Sequence, residues 1–195
     1  MELPVLTRSG SIPTAHRTLA DLEACLDHVR QSPRDTGRLE LLVCRPEVGG
    51  RAVLNEGRLD SVRGLVGDNW SVRGSSSKDR PSDPNKQITI MNARAVAVLA
   101  GGKDRWQLTG DQLFVDFDLS VSSVPPGTRI LIGSAVLEVT APPHRGCHKF
   151  TARFGPDATA FVNSKAGIEL NLRGINARVV QDGAIRVGDP VRKLV

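Results

Sequence analysis

Aromatic side chains are scarce in this sequence of 195 residues: they make up 4% of it, and tyrosine is absent. Proteins that bind single-stranded nucleic acid usually stack the bases on exposed rings. The 26 lysines and arginines give a net charge of +5 but form no run of five or more. A basic balance favours anionic ligands, whereas the lack of rings and of a basic run argues against nucleic acid. We therefore expect no nucleic-acid partner.

Cysteine pairs and long apolar segments are also missing. The three cysteines, Cys25, Cys44 and Cys147, are odd in number and contain no Cys-x-x-Cys motif, which argues against a disulfide framework and a structural zinc site. The N-terminus lacks the basic and apolar regions of a signal peptide, and no apolar run approaches the length of a membrane span. Unpaired thiols are typical of a reducing compartment, so we expect a cytoplasmic protein with no membrane partner.

Short β-rich segments separated by turn residues dominate the chain from residue 39 onward. Gly133-Ser134 and Asp182-Gly183 predict two tight hairpins. Thr18 predicts the cap of a helix over 19–30, because apolar residues recur there at helical spacing. Irregular segments are predicted at 1–17, 74–86 and 141–147, strands at 39–44, 52–54, 87–90, 112–115, 129–132, 135–140, 177–180 and 184–187, and further helices at 92–99 and 157–163.

This pattern predicts a mainly β fold with a few helices (α+β), in which a β-barrel core carries peripheral helices. We expect residues 1–38 to form an N-terminal arm and helix. Residues 39–195 are predicted to form the barrel domain.

One cysteine lies in a polar, basic segment, His144-Arg145-Gly146-Cys147-His148-Lys149. A thiolate is both a nucleophile and a ligand for soft metals, and neighbouring cations favour it over the thiol. The alternative is a cysteine buried as a small hydrophobic residue, and the residues alone leave both interpretations open. The chain has no His-Glu-x-x-His zinc motif, no Gly-x-Ser-x-Gly elbow and no phosphate-binding loop ending in Gly-Lys-Ser/Thr.

Several segments, taken in order, resemble the MOSC domain, a family named after the C-terminal domain of molybdenum-cofactor sulfurases. They include a Gly-x-x-Gly-Asp turn, a strand leading into a helix, a hairpin region and a cysteine at the expected place. The resemblance is closest to the small stand-alone bacterial members and spans roughly residues 39–195. The matching segments are 64–68, 87–95, 110–115, 126–133, 147–149, 153–155, 174–179 and 183–189.

The resemblance implies a β-barrel fold and one of two roles for Cys147. In the first, its thiolate binds the metal of a molybdenum cofactor (molybdopterin), and the protein reduces N-oxygenated small molecules. In the second, it carries persulfide sulfur without a metal. His144 and His148 are the candidate catalytic residues beside it. The candidate cofactor-binding residues are Arg145, Lys149, Arg153, Arg173 and Arg178 for the phosphate, together with Asn176 and Asp68.

The chain departs from the family pattern at Asn69-Trp70, where many members carry Arg-His. We expect His144 or His148 to take over the part of that histidine. The chain is too short to hold a pyridoxal-phosphate domain and has no ferredoxin-like cysteine cluster. The resemblance therefore implies a small-molecule substrate and a separate protein that donates electrons or sulfur. A third, non-enzymatic interpretation is a barrel that binds anions or nucleic acid.

Overall fold

The computed structural model describes residues 16–74 and 81–194 of the chain. Its helices are α1 (Leu19–Glu23), α2 (Leu26–Arg30), α3 (Trp70–Arg73), α4 (Ala93–Ala100), α5 (His148–Asn163) and α6 (Lys165–Glu169), with 3₁₀ turns at Pro84–Lys86 and Lys103–Thr109. Its strands are β1 (Thr36–Cys44), β2 (Ala52–Leu54), β3 (Glu56–Asp60), β4 (Gly64–Leu65), β5 (Ile88–Asn92), β6 (Leu113–Asp116), β7 (Arg129–Ile132), β8 (Ala135–Val139), β9 (Ile175–Gln181), β10 (Gly183–Arg186) and β11 (Pro190–Leu194).

Seven strands close into a mixed barrel in the order β1-β6-β5-β9-β8-β7-β11, and β11 pairs back onto β1. β1 pairs with two strands along one edge: its residues Thr36–Arg38 pair with β11, and its residues Leu42–Cys44 pair with β2. β5 and β6 run parallel, whereas the other pairs of the barrel are antiparallel. The predicted α+β class with a barrel core is confirmed.

Alternation along the strands divides the buried residues into two layers. In β6, Leu113 and Val115 point into the barrel, and Phe114 points to the outside. The barrel interior is filled with aliphatic side chains such as Leu39, Ile90 and Leu137, which are fully buried. The outer layer joins Phe114 to apolar residues of the helices, such as those of α4 and α5. The helices therefore cover one outer face of the barrel.

The N-terminal helical region forms as expected but contains a break. Thr18 and Asp21 form a reciprocal capping box at the start of α1, and the helix ends at Glu23 before α2 begins at Leu26. The fully buried Leu22 packs in the outer layer. Residues 1–15 of the predicted arm and 75–80 of the predicted loop lie outside the described residues. Because β1 begins at Thr36, it crosses residue 38, and the division of the chain there stays a prediction.

The hairpin predicted at Gly133-Ser134 is confirmed, because Ile132 pairs with Ala135 across it. The hairpin predicted at Asp182-Gly183 is wrong. β9 pairs with β5 and β8, whereas β10 pairs with β3 in a second sheet of order β10-β3-β4. Asp182 accepts a hydrogen bond from the distant Ser61 N–H at 2.8 Å. The turn therefore directs the chain from one sheet to the other.

The helix predicted over 157–163 begins earlier, at His148, so that the cysteine segment ends on a helix cap. Gly155 (φ 89°) and Pro156 interrupt this helix near its middle. Among the described residues, no helix is long and apolar enough to cross a membrane.

Candidate functional site

Cys147 stands between the segment that leaves β8 and the first turn of α5. Gly146 is held by Asn163 through two hydrogen bonds, from its N–H to Oδ1 (3.0 Å) and from Nδ2 to its carbonyl (3.2 Å). The carbonyl of Cys147 accepts bonds from the N–H groups of Phe150 and Thr151, both at 2.9 Å. These contacts fix the backbone at the cysteine, while the residue itself stays exposed.

The surroundings of Cys147 favour its thiolate. Partial burial acts to raise the pKa of Cys147, but the N–H groups of Phe150 and Lys149 and the charges of Arg173 and Lys149 outweigh it. The pKa of the thiol is therefore lower than that of an ordinary cysteine. Cys147 is exposed, so the sulfur is available to a ligand.

Cys147 lines a cavity of about 300 Å³ whose polar wall is dominated by cations. The chain brings these cations together from the segment after β1, from α3, from α5 and from the segment before β9. Glu47, an exposed residue, is the acidic side chain among the lining residues described. The basic lining residues are Arg45, Arg51, Arg73, Lys149, Arg153 and Arg173.

Three of the predicted site residues, Lys149, Arg153 and Arg173, are thus brought to the same cavity as Cys147. The other three cations, Arg45, Arg51 and Arg73, were missed in the sequence. They lie about 70 to 100 residues before the cysteine, and nothing in the local pattern distinguishes them from surface arginines.

Asp68 lies behind the cavity wall, where it holds Arg45. Its carboxylate accepts bonds from Nε (2.8 Å), Nη2 (3.0 Å) and the N–H of Arg45 (2.9 Å), and from the N–H of Trp70 (2.9 Å). Both side chains of the ion pair are buried. The Gly-Asp turn therefore positions an arginine, and Asp68 itself does not line the cavity.

Asp111 holds Arg173 in a similar way. The fully buried carboxylate accepts a bond from Nη1 of Arg173 at 2.7 Å, and the carbonyl of Thr109 accepts one from Nη2 at 2.9 Å. Burial acts to raise the pKa of Asp111, but Arg173 outweighs it and holds the pKa below its usual value. The guanidinium also lies 5.1 Å from the centre of the Phe150 ring, in cation–π geometry.

His144 lies on the other side of Asp111. Its Nδ1 is 3.5 Å from Oδ1 of Asp111, and neither atom has a hydrogen-bond partner within normal distance. Burial, followed by the charge of Arg173, lowers the pKa of His144 to about 4. The imidazole is therefore neutral at pH 7.

The remaining predicted residues lie elsewhere. His144, Arg145 and Asn176 line a second cavity of about 180 Å³, and Nδ2 of Asn176 donates to the carbonyl of Pro142 at 3.0 Å. His148 is exposed and is not among the residues that line the cysteine cavity. Arg178 pairs with Glu138 of β8 at 2.6 Å. These residues do not line the Cys147 cavity, and their assigned roles stay predictions.

Four cations of the cysteine cavity, Arg51, Arg73, Lys149 and Arg153, have no carboxylate partner among residues 16–74 and 81–194. Burial and the charge of neighbouring arginines lower the pKa of Arg51 and of Arg73. Such a concentration of like charge is unfavourable unless an anion offsets it. The cavity therefore fits a multiply charged anionic ligand.

The described residues, 16–74 and 81–194, hold no group of three His, Cys, Asp or Glu side chains that could bind a metal ion. A metal held by Cys147 would need most of its ligands from an organic cofactor. A phosphate on that cofactor would meet the four unpaired cations.

Comparisons with known proteins bear on the family and the fold. The family model for the MOSC domain matches residues 77–192. A sequence comparison with curated proteins gives no match.

Solved structures share the fold at low sequence identity. The YuaD protein of Bacillus subtilis is 17% identical with a TM-score of 0.57, over 81% of this chain and 95% of that one. YiiM of Escherichia coli is 19% identical with a TM-score of 0.53, over 81% and 70% of the two chains. YiiM of Geobacillus stearothermophilus is 14% identical with a TM-score of 0.55, over 82% and 75%. Since the family model covers more than half of the 195 residues, the chain belongs to the MOSC domain family.

Proposed function

We propose that the Cys147 cavity binds a molybdenum cofactor of the molybdopterin type and that the protein reduces N-oxygenated small molecules. The observation that carries this proposal is an exposed thiol of lowered pKa on the wall of a cavity with four unpaired cations. Thiolate sulfur is a suitable ligand for a soft metal. Arginine binds phosphate in a bidentate manner, so one cavity offers both kinds of contact.

The residues present divide into a metal ligand and a phosphate clamp. Cys147 would hold the metal, and Arg51, Arg73, Arg153 and Lys149 would hold the phosphate. When bound, the cofactor supplies the oxygen-atom exchange at the N–O bond of the substrate. Arg45 and Arg173 are already bound to buried carboxylates, so they give the wall a fixed positive charge.

Reduction of an N-hydroxyl group to an N–H group consumes two electrons and two protons and releases water. A separate electron-donor protein would supply the electrons. The expected cytoplasmic location, where such a donor could reach the exposed cysteine, stays a prediction.

A persulfide carrier is the second candidate, and the exposure of Cys147 favours it. A terminal sulfur on an exposed cysteine could be passed between a sulfur-donor protein and an acceptor. The cavity offers far more positive charge than a single persulfide anion requires, so the molybdenum cofactor is the better match to the geometry.

Elemental analysis of protein made in a host that synthesises the cofactor distinguishes the two candidates. We expect about one molybdenum per chain in the wild type, a loss of molybdenum in Cys147→Ala, and wild-type content in Cys25→Ala, a control thiol far from the cavity. We also expect reduced molybdenum and phosphorus content when Arg51 and Arg153 are both changed to Gln. Wild-type protein without molybdenum but with a reducible persulfide on Cys147 would refute the first candidate and support the second.

A further inference from the structure

The side chain of Asn69 lines the cavity, and its oxygen makes no hydrogen bond with the part of the chain that the structure describes. Asn69 is 7% exposed, and its Oδ1 makes no hydrogen bond within the described residues. In contrast, both the N–H and the carbonyl of its backbone are hydrogen-bonded. The N–H donates to the carbonyl of Arg45 at 2.8 Å, and the carbonyl accepts from Val72 and Arg73 at 3.2 and 2.9 Å. The backbone of Asn69 therefore has a fixed place on the wall of the cavity.

An amide oxygen that is buried without a partner is unfavourable. Buried polar side chains in folded proteins are nearly always hydrogen-bonded. The described residues around Asn69 provide no such bond, so a ligand in the cavity could supply one.

The other polar side chains of the wall differ from Asn69 in kind. The six arginine and lysine side chains carry donors and no acceptor. The carbonyls of Thr109 and Gly110 already accept bonds from Arg173 and Arg45. The Oδ1 of Asn69 is itself buried, and the surrounding positive charge favours a rotation of the amide that turns this oxygen, the negative end of its dipole, toward the cavity. A ligand thus meets donors on most sides, and the wall offers acceptors at Asn69 and at the exposed Glu47.

We propose that Asn69 determines the specificity of the cavity by accepting a hydrogen bond from an O–H or N–H group of the ligand. The ligand would at the same time present acceptor oxygens to the cations. This inference rests on the proposed function and specifies it further: the hydroxyl of an N-hydroxylated substrate is the donor that Asn69 recognises. Hydroxamic acids have both features, since they carry two acceptor oxygens and an N–O–H donor.

The test compares benzohydroxamic acid with its O-methyl ether, which lacks only the O–H donor. Calorimetry gives the dissociation constants of both probes for the protein as isolated from a cofactor-competent host, with the molybdenum content measured in parallel. We expect the wild type to bind the acid roughly ten-fold or more tightly than the ether, as one hydrogen bond to a buried group requires. Asn69→Leu should reduce this ratio to about one, chiefly through weaker binding of the acid.

Two further variants separate recognition from a merely structural role. Asn69→Asp keeps an acceptor at the same place and should retain the preference for the acid, although it changes the charge of the cavity. Asn85→Leu, a change at an exposed asparagine outside the cavity, should leave both dissociation constants unchanged. Thermal unfolding of each variant shows whether it is folded.

The outcomes are separable from those of the proposed function. An equal preference for the acid in the wild type and in Asn69→Leu would overturn the role of Asn69, whatever the molybdenum content. So would a wild type that binds neither probe. Absence of molybdenum together with a preference that depends on Asn69 would refute the cofactor and leave the recognition role intact.

Discussion

The buried imidazole of His144 should make the stability of the fold depend on pH between about 4 and 6.5. Burial, and then the charge of Arg173, lower the pKa of His144 from 6.5 to about 4, against the opposing charge of Asp111. The charges of Arg45 and Lys86 also lower the pKa of His144, as that of Arg173 does. A histidine that is neutral in the fold takes up its proton more readily when the chain unfolds.

The sign of the effect follows from this difference in proton binding. Between the two pKa values the unfolded chain binds more protons, so stability rises with pH. The contribution of His144 is fully present above pH 6.5 and is lost as the pH falls toward 4. The difference between the two pKa values corresponds to about 3 kcal/mol of unfolding free energy, at about 1.4 kcal/mol per pH unit. The carboxylate of Asp111 is ionised in the fold throughout this pH window because its pKa is lowered. Its own effect on stability therefore belongs to lower pH.

Urea unfolding of the wild type and of His144→Gln at pH values from 4 to 8 measures this contribution. Glutamine is polar but does not titrate. The unfolding free energy of the wild type minus that of the variant should therefore decrease by about 3 kcal/mol as the pH is lowered from 6.5 to 4. His28→Gln, at an exposed histidine of α2, serves as the control and should show a pH dependence parallel to the wild type. If the difference between the wild type and His144→Gln is the same at every pH, the neutral buried state of His144 is refuted.

Three further predictions concern the ion pairs, the thiol and the sheet. Asp68→Asn leaves Arg45 buried without a carboxylate, so the free energy of unfolding in urea should fall by about 3 kcal/mol or more; a loss under about 1 kcal/mol would contradict this. Alkylation of Cys147 should show its half-maximal rate at a lower pH than that of an ordinary cysteine thiol, and Arg173→Met should raise that pH by removing a cation near the sulfur. An unchanged midpoint would argue against the electrostatic cause. Gly183→Val should destabilise the fold by more than about 1 kcal/mol, because a Cβ there would lie 2.4 Å from backbone atoms of Ser134 and Ala135; wild-type stability would contradict the close approach.

The parts of the fold that could be predicted from the sequence are those decided by local interactions. The turn at Gly133-Ser134 joins two strands that pair with each other, so a two-residue signal is sufficient. The signal at Asp182-Gly183 is equally strong, but β10 pairs with β3, more than 120 residues earlier. Turn chemistry indicates where the chain reverses, whereas the choice of a strand partner depends on tertiary packing.

The same difference applies to the site. Cys147, Lys149 and Arg153 lie within seven residues, and their basic composition makes a reactive thiol one of the two interpretations that the sequence leaves open. Arg51 and Arg73 belong to distant segments and reach the cavity only because the barrel closes. Their sequence neighbourhoods resemble those of arginines that stay on the surface, so no local signal could have identified them.

Charge counting also fails to separate two kinds of arginine that the structure distinguishes. Arg45 and Arg173 are each held by a buried carboxylate, so their guanidinium groups are fixed before any ligand arrives. Within residues 16–74 and 81–194, Arg51 and Arg153 donate to backbone carbonyls and to no carboxylate, so their charge is left for an anion. Fixed charges lower the cost of reorganisation when a charged group binds, while uncompensated ones supply the attraction. In the proposed function, a cavity with both kinds of cation beside a thiolate would hold a charged ligand in one orientation. The Oδ1 of Asn69, which has no hydrogen bond within the described residues, would select that orientation.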